Sequence, residues 1–400
     1  MGFFSNEKLK SIRGCAGCSR CSHGERELSI IGDDADVVFV MEHLSDDRYT
    51  NERISYLTQQ LNMLGIKDDE YTLLGAVCDS KKSPEEKEIT YCLKNVLNEI
   101  DKIKPTVVIP LGNIIIKTFA EHFWKDKAGI IERWINHTIP INGQFWLCPM
   151  DDPGYLHTCD YAPLNKRFIN GIIKAFETPE TVPYYKDRLA SKIEILSDIG
   201  SMVEAIKEFA GDDLVAFDYE TTGLKPQAEG HDIYSVSLAS DRRCTSFLLP
   251  DDARVRKALK KFLVSDVKKI AQNFFFEDIW SSVILGTEVK NWVWDTMLVE
   301  HIQNNTKQSS GLKFQSFVYL GIENYNSEIE RYLKGEGGNG FNKVHEAPVQ
   351  PLLLYGGYDA ILTLELYKRQ KRLHDESLRL NLKWGKNTFK DDTKRDSSRC

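Results

Sequence analysis

The sequence contains no long apolar segment and no recognisable signal peptide. No stretch approaches the ~20 consecutive apolar residues that a membrane-spanning helix requires. The start, Met1 to Lys8, lacks the apolar core of a secretory leader. These absences argue against a membrane-spanning or exported protein, so we expect the chain to work in the cytoplasm without a membrane partner. No internal repeat is visible either.

A surplus of positive charge is also missing. The chain carries 52 Lys and Arg against 59 Asp and Glu, a formal net charge of -7, so it does not coat nucleic acid by overall charge. Basic clusters are nevertheless present at Arg256–Lys257, Lys260–Lys261 and Lys268–Lys269. They are either solvated helix faces or contacts for nucleic acid, and they support a nucleic-acid partner only beside stronger signals.

The length and composition indicate two folded α/β domains. With 42% hydrophobic and 28% charged residues, the chain is neither disordered nor fibrous, and 400 residues fit two domains at roughly 150 residues each. Two prolines and little periodicity after residue 176 predict a linker at 181–190, between a first domain over 1–180 and a second over 191–383. The polar residues 384–400 are expected to be a disordered tail.

Alternating strand and helix patterns give the first domain its predicted fold class. Buried strands are expected from Val37 to Met41 and from Thr106 to Leu111, the latter followed by a Gly turn and a helix. Ser83 is expected to be the N-cap of a helix that reaches about Ile103. Strands that alternate with helices predict a parallel sheet covered by helices.

Carboxylates gather at the end of a predicted strand in the second domain. The apolar strand Leu214–Phe217 leads directly to Asp218 and Glu220, which share one face because strand residues two apart point the same way. Thr221–Gly223 then turns the chain. Either the pair is a solvated strand end, or it places two carboxylates around one metal-sized space.

Two further elements carry acids at helical spacing. Asn273 precedes an aromatic run that ends in Glu277, with Asp278 as the alternative acid. Tyr355 and Asp359 lie four residues apart, hence on one face of a predicted helix. Taken singly, each element is better explained as a core helix or a helix-surface coincidence, and only the combination indicates a site.

In this order the three elements resemble the exonuclease motifs of the DEDD superfamily in its tyrosine-containing branch. The resemblance is specifically to the proofreading 3′-5′ exonuclease domain of family A DNA polymerases, covers about residues 190–382 and implies a ribonuclease H-like fold. It implies that Asp218, Glu220 and Asp359 bind a catalytic metal, that Glu220 also orients water, and that Tyr355 helps to hold the attacking water. The same resemblance implies that Asn273 contacts the single strand.

One position departs from that family pattern. The family usually has Asp four residues after the motif's Asn, where this chain has Glu277, and we favour Glu277 over Asp278 as a metal ligand. The resemblance implies phosphodiester hydrolysis at single-stranded DNA 3′ ends with two ions, and carboxylate ligands favour Mg²⁺ or Mn²⁺. The alternatives are an RNA exonuclease of the ribonuclease D type and a non-catalytic DNA-binding accessory module.

Cysteines in the first domain form a second constellation. Cys15 and Cys18 form a C-x2-C pair, and Cys78 and Cys92 bracket a predicted helix start, with Cys21 as an unplaced extra. Cytosolic cysteines seldom form disulfides, and four thiolates can hold either zinc or an iron-sulfur cluster. The spacing does not choose between these two ligands.

Residues 15–176 resemble the iron-sulfur uracil-DNA glycosylases. The resemblance rests on the cysteines, on the strand that leads to Glu42, and on Pro105–Gly112. It implies a glycosylase-like α/β sandwich with a [4Fe-4S] cluster on Cys15, Cys18, Cys78 and Cys92, zinc being the alternative. The family's catalytic loops read Met41–Ser45 and Asp151–Pro153 here, without the glycines and the histidine. We therefore expect a DNA-binding domain that has lost base excision, with an active glycosylase on a modified phage base as the alternative.

Together, the two domains resemble the N-terminal part of phage family A DNA polymerases. The polymerase fingers and palm are not recognisable in this chain. The combination predicts a proofreading nuclease in the host cytoplasm, with a polymerase domain or replication proteins as partners.

Overall fold

The computed structural model describes residues 28, 30–32, 35–44, 48–77, 84–159, 161–325, 328–335, 337–338 and 340–391, with side chains up to residue 377. The chain divides into two compact units. The first unit runs to Lys186 and also includes residues 306–308 and 315–324. The second unit consists of 187–305, 309–314 and the residues from Tyr325 onward.

A six-stranded sheet forms the centre of the first unit. Its strands are β1 (Ile30–Ile31), β2 (Val37–Met41), β3 (Tyr71–Gly75), β4 (Val107–Pro110), β5 (Ile139–Ile141) and β6 (Phe145–Leu147), and their order is β1-β3-β2-β4-β6-β5. β3, β2, β4 and β6 are parallel, whereas the two edge strands β1 and β5 are antiparallel to their neighbours. The predicted parallel sheet is therefore confirmed for the four inner strands.

Helices connect these strands. They are α1 (Arg48–Met63), α2 (Glu86–Ile103), α3 (Asn113–Trp124), α4 (Pro153–Cys159) and α5 (Ala162–Phe176), with a 3-10 turn at Ile131–Trp134. Every residue of β2 and β4 is buried, as expected for strands covered on both faces. One core cluster joins Phe39 and Ile109 of the sheet to Leu57 of α1 and Phe168 of α5.

The start of α2 corrects one sequence prediction. Glu85, and not Ser83, is the N-cap residue: its side chain accepts from the backbone N–H of Glu88, while its own N–H donates to the Glu88 carboxylate over 2.7 Å. This capping box satisfies two N–H groups that the first turn leaves without helical partners. The helix therefore begins at Glu86, and Ser83 lies outside the described residues.

The second unit contains another six-stranded sheet. Its strands are β7 (Ile193–Ile195), β8 (Leu214–Thr221), β9 (Ile233–Ala239), β10 (Cys244–Leu248), β11 (Lys268–Ala271) and β12 (Trp292–Asp295), in the order β12-β11-β8-β9-β10-β7. β9 is antiparallel to both of its neighbours, and the other pairs are parallel. Both units are thus mixed α/β structures.

Eight helices follow the first unit's five in the described chain. They are α6 (Lys186–Ala190), α7 (Ile199–Phe209), α8 (Ala253–Leu263), α9 (Phe274–Leu285), α10 (Thr296–Gln303), α11 (Leu312–Leu320), α12 (Glu330–Leu333) and α13 (Val349–Asp391), with a 3-10 turn at Val344–Glu346. α6 lies within the predicted linker 181–190, and α13 continues through 384–391, where the sequence predicts a disordered tail. None of the helices in the described chain combines the length and apolar character that a membrane crossing requires.

The two faces of the second sheet have different neighbours. Phe217 and Tyr219 of β8 join a core cluster with residues of α7, α8 and α9. α13 packs against β8, β9 and β10. Because side chains alternate along a strand, Asp218 and Glu220 lie on the face opposite to Phe217 and Tyr219, under α13.

Candidate active site

β8 carries two of the predicted acids within the strand rather than beyond its end. The strand runs to Thr221 and therefore continues past Phe217, its predicted last residue. Asp218 pairs in register with Ser237 and Glu220 with Ser235 of β9. Since the alternation of a strand holds throughout this segment, both carboxylates share one face, as predicted.

Two glycines allow α13 to approach that face closely. A Cβ atom at Gly356 would lie 2.7 Å from Ser237 Oγ, and one at Gly357 would lie 2.5 Å from Ile193 Cγ2. Real Cβ atoms do not come this close, so a larger residue at either position would force the helix or the facing side chains to shift. The glycines between Tyr355 and Asp359 therefore bring both side chains down to the β8 carboxylates.

Three carboxylates meet at this contact. One oxygen from each of Asp218, Glu220 and Asp359 lies within 4.8 Å of the others, and Glu220 and Asp359 are only 9% and 7% exposed. Burial, followed by the charge of Asp359, raises the pKa of Asp218 well above its ordinary value. Burial and then the charge of Asp218 raise the pKa of Glu220 in the same way. The sequence-predicted residues thus form a compact acidic centre with unfavourable internal repulsion.

Glu277 and Asp278 have different environments at the start of α9. Glu277 is 2% exposed, and its Oε2 atom has no hydrogen-bond partner among the described residues. Burial and then the charge of Asp218 raise its pKa well above the ordinary value. Asp278 Oδ1 instead accepts hydrogen bonds from Val289 N over 3.3 Å and Trp292 Nε1 over 3.1 Å. Asp278 is therefore a structural acceptor, whereas the buried Glu277 carboxylate is affected by the charge of Asp218 but lies outside the group of three.

Asn273 is held at the start of α9 in the left-handed region, with φ 69°, a conformation that Asn tolerates better than most residues. The buried Asp295 fixes it there by accepting from Asn273 N over 3.0 Å and from Phe274 N over 3.1 Å. The same carboxylate caps α10 through Met297 N and Leu298 N. This role of Asp295 was not predicted, because its spacing from Asn273 in the sequence gives no signal of it.

Tyr355 is accompanied by a second phenol that was not predicted from the sequence. Tyr325 donates a hydrogen bond to Asp359 Oδ1, and its ring lies 5.8 Å from that of Tyr355 and 5.3 Å from that of Tyr358. Burial and the charge of Asp359 raise the pKa of both Tyr325 and Tyr355 well above the ordinary value. Both phenols therefore remain protonated donors around Asp359.

A cation, Lys313, also reaches the acidic centre. Its Nζ atom lies 5.3 Å from the centroid of the Tyr355 ring, and its charge opposes the rise in pKa of Asp218, Glu220 and Asp359. This residue was not predicted either, because a lysine near the start of a helix carries no motif.

In the first unit, Glu42, which follows β2, is engaged by a buried arginine. Arg53, which is 1% exposed, pairs with Glu42 over 3.5 Å and also with Asp152. Burial raises the pKa of Glu42, and the charge of Arg53 opposes that rise. Of the predicted cluster ligands, Cys92 is buried on α2, whereas Cys15, Cys18 and Cys78 lie outside the described residues.

Comparison with known proteins assigns the second unit. Residues 193–373 match the sequence model of a family described as 3′-5′ exonuclease, and no curated protein matches the chain. Similar solved structures include Brucella melitensis NrnC bound to pGG (18% identity, 48% of this chain, 83% of that chain, TM-score 0.34) and Escherichia coli RNase D (12%, 46%, 46%, TM-score 0.37). Trypanosoma brucei RNase D in its GMP complex is similar at 17% identity over 46% of this chain and 58% of that chain, with TM-score 0.37. The predicted 3′-5′ exonuclease domain is confirmed; the glycosylase-like domain and the polymerase context remain predictions.

Proposed function

We propose that the second unit removes nucleotides from single-stranded DNA 3′ ends by metal-dependent hydrolysis at Asp218, Glu220, Glu277 and Asp359. The observation that carries this proposal is the meeting of three carboxylates from β8 and α13, with oxygens within 4.8 Å of one another. Mutual repulsion of buried acids is unfavourable in a purely structural site. A divalent cation would remove that repulsion.

The residues present fit such a cation. All four acids are hard oxygen donors, as Mg²⁺ and Mn²⁺ prefer, and the buried Glu277 Oε2 atom has no hydrogen-bond partner in the described chain. Asp218, Glu220 and Asp359 would hold one ion, and Glu277 would complete the site for a second. When bound, the two ions activate water and neutralise the leaving 3′ oxygen.

The chain's own groups would orient the reactants. Glu220 would accept a hydrogen bond from the attacking water, and the protonated Tyr355 hydroxyl would help to hold that water. The hydrogen bond from Tyr325 keeps Asp359 in place. Asn273, fixed by Asp295, would contact the single strand near its 3′ end.

The motif resemblance to family A proofreading domains supports DNA as the substrate and supports a role as the proofreading part of a phage DNA polymerase. In the first unit, the resemblance to iron-sulfur glycosylases supports a [4Fe-4S] cluster on Cys15, Cys18, Cys78 and Cys92. The loops Met41–Ser45 and Asp151–Pro153, which lack the glycines and the histidine of that family, support loss of base excision.

The decisive experiment is a release assay. Single-stranded DNA, duplex DNA and RNA, each labelled at the 3′ end, are incubated with the protein and Mg²⁺ or Mn²⁺, with EDTA and the Asp218→Ala protein as controls. We expect mononucleotides from single-stranded DNA, with both controls inactive. Preferential release from RNA would favour the ribonuclease alternative, and activity that persists in Asp218→Ala would refute the assigned centre.

A further inference from the structure

Lys313 occupies a position that helix energetics do not favour. It is the second residue of α11, a helix of nine residues. The first turn of a helix carries partial positive charge, so a cation there is unfavourable. Helix stability therefore does not explain this lysine.

Among the described residues, no hydrogen bond or ion pair is found for the Lys313 ammonium group. This group lies 5.3 Å from the centroid of the Tyr355 ring, and its charge also acts on Glu330. An ammonium group has three donor hydrogens. These donors lie beside the acidic centre, and the charge acts on three of its carboxylates.

The negative charge of the site indicates a role for the Lys313 ammonium group in binding the substrate phosphate. Before metal ions bind, a phosphodiester that approaches the four buried acids is repelled by their negative charge, and the low dielectric of the buried site strengthens that repulsion. A cation on the Tyr355 side attracts the same phosphate toward the phenol that we propose holds the attacking water.

We propose that Lys313 binds the phosphate of the 3′-terminal linkage, the linkage to be cleaved. This inference rests on the proposed function, because it takes single-stranded nucleic acid as the ligand of the same site. The competing role is a fixed countercharge that only relieves repulsion among the carboxylates. The two roles differ in whether Lys313 neutralises a substrate charge.

Salt dependence of binding separates these roles. Binding of a fluorescent single-stranded oligodeoxynucleotide is measured against KCl concentration in EDTA, with the full chain carrying Asp218→Asn to prevent turnover. Each phosphate contact contributes about 0.7 to the slope of log K against log[salt] for single strands. We expect Lys313→Gln to reduce the slope by about 0.7. Lys207→Gln is the matched control, since Lys207 is exposed on α7 at the opposite face of the sheet, and it should leave the slope unchanged.

An uncharged linkage identifies the phosphate. With a methylphosphonate at the 3′-terminal linkage, the protein that keeps Lys313 and the Lys313→Gln protein should have equal slopes, because the charge that Lys313 contacts is already gone. In Mg²⁺ and without Asp218→Asn, Lys313→Gln should lower kcat/KM about 10- to 100-fold, the usual effect of one charge-assisted hydrogen bond. Lys313→Arg should recover part of this loss.

Several outcomes would overturn the inference. If Lys313→Gln leaves the slope of log K against log[salt] unchanged, the lysine is only a countercharge. If Lys313→Gln reduces this slope equally for the unmodified and the methylphosphonate oligonucleotide, Lys313 contacts another phosphate. Thermal melting of each variant checks folding, and Lys313→Arg keeps the charge if the Gln variant melts early. Failure of the wild-type protein to release any nucleotide would refute the proposed function, whereas the slopes test Lys313 independently of turnover.

Discussion

Asp218→Asn is expected to stabilise the metal-free protein while it abolishes hydrolysis. Asp218 carries the charge that raises the pKa of both Glu220 and Glu277, after burial itself. Asn has nearly the same shape, so the substitution removes this repulsion without creating a cavity. Like-charge repulsion is worth about 1.4 kcal/mol for each pKa unit that it contributes, and for a unit of this size about 1 kcal/mol shifts Tm by about 2–4 °C. Tm in EDTA is therefore expected to rise by about 3–6 °C for each such unit that Asp218→Asn removes.

The pH dependence follows from the same shifts. A carboxyl group whose pKa is higher in the folded than in the unfolded state binds more protons when folded, so the free energy of unfolding falls as pH rises. For the metal-free wild-type protein, this loss begins near the ordinary carboxyl pKa and ends at the raised folded pKa. Asp218→Asn should lose less stability over that interval.

Thermal melting in EDTA and in Mg²⁺, at several pH values, tests both expectations. Mg²⁺ at about a hundredfold excess over its Kd should increase the free energy of unfolding of the wild-type protein by about 2.7 kcal/mol, and should raise its Tm accordingly. The effect on Asp218→Asn should be much smaller. Asp213→Asn, at an exposed acid just before β8, is the matched control and should melt like the wild type. A lower Tm for Asp218→Asn in EDTA would refute the reasoning that the acids repel one another in the folded state.

Three further outcomes are expected. Glu277→Gln should lose most nuclease activity and should not melt below the wild type, whereas Asp278→Ala should keep activity and lose about 1–3 kcal/mol of stability, because it removes the acceptor of two hydrogen bonds. The reverse order in the release and melting assays would show that Asp278, and not Glu277, is the ligand. Tyr355→Phe should lower kcat without abolishing it, because the carboxylates remain, and complete inactivity would contradict this role. Anaerobically purified protein should be brown with near-equal iron and sulfide, and Cys92→Ser should bleach it, whereas a colourless zinc protein would exclude the cluster.

Local periodicity explains which parts of the site could be predicted. Asp218 and Glu220 share a face because strands alternate, and Tyr355 and Asp359 share a face because helices repeat every 3.6 residues. Both relations hold within one element, whatever the rest of the chain does. The extent of β8 was underestimated because acids are uncommon in strands, yet the register that matters was unaffected.

Contacts between distant segments could not be predicted in this way. Tyr325 and Lys313 reach Asp359 and Tyr355 only because of how their segments pack on α13, and no spacing in the sequence encodes that packing. Lys269 shows the opposite error: it reads as part of a basic cluster, but it is fully buried and its Nζ atom donates to three backbone carbonyl groups at 3.0 Å each. Burial lowers the pKa of Lys269 to about 8. Lys269 is therefore a buried structural residue and not a surface charge.

The assignment of residues 315–324 to the first unit has a consequence for how the protein is made. Within that unit, Phe317 lies against Trp124 and Trp134, and Asn324 N donates to the Trp124 carbonyl over 3.1 Å. Domains ordinarily fold in order as they leave the ribosome. The contacts of these tryptophans with residues 315–324 can therefore form only after a segment well beyond Lys186 has been synthesised. Until it arrives, the two tryptophans of the nascent first unit lack their contact with Phe317, and an expression vector that stops at Lys186 would leave that contact unformed.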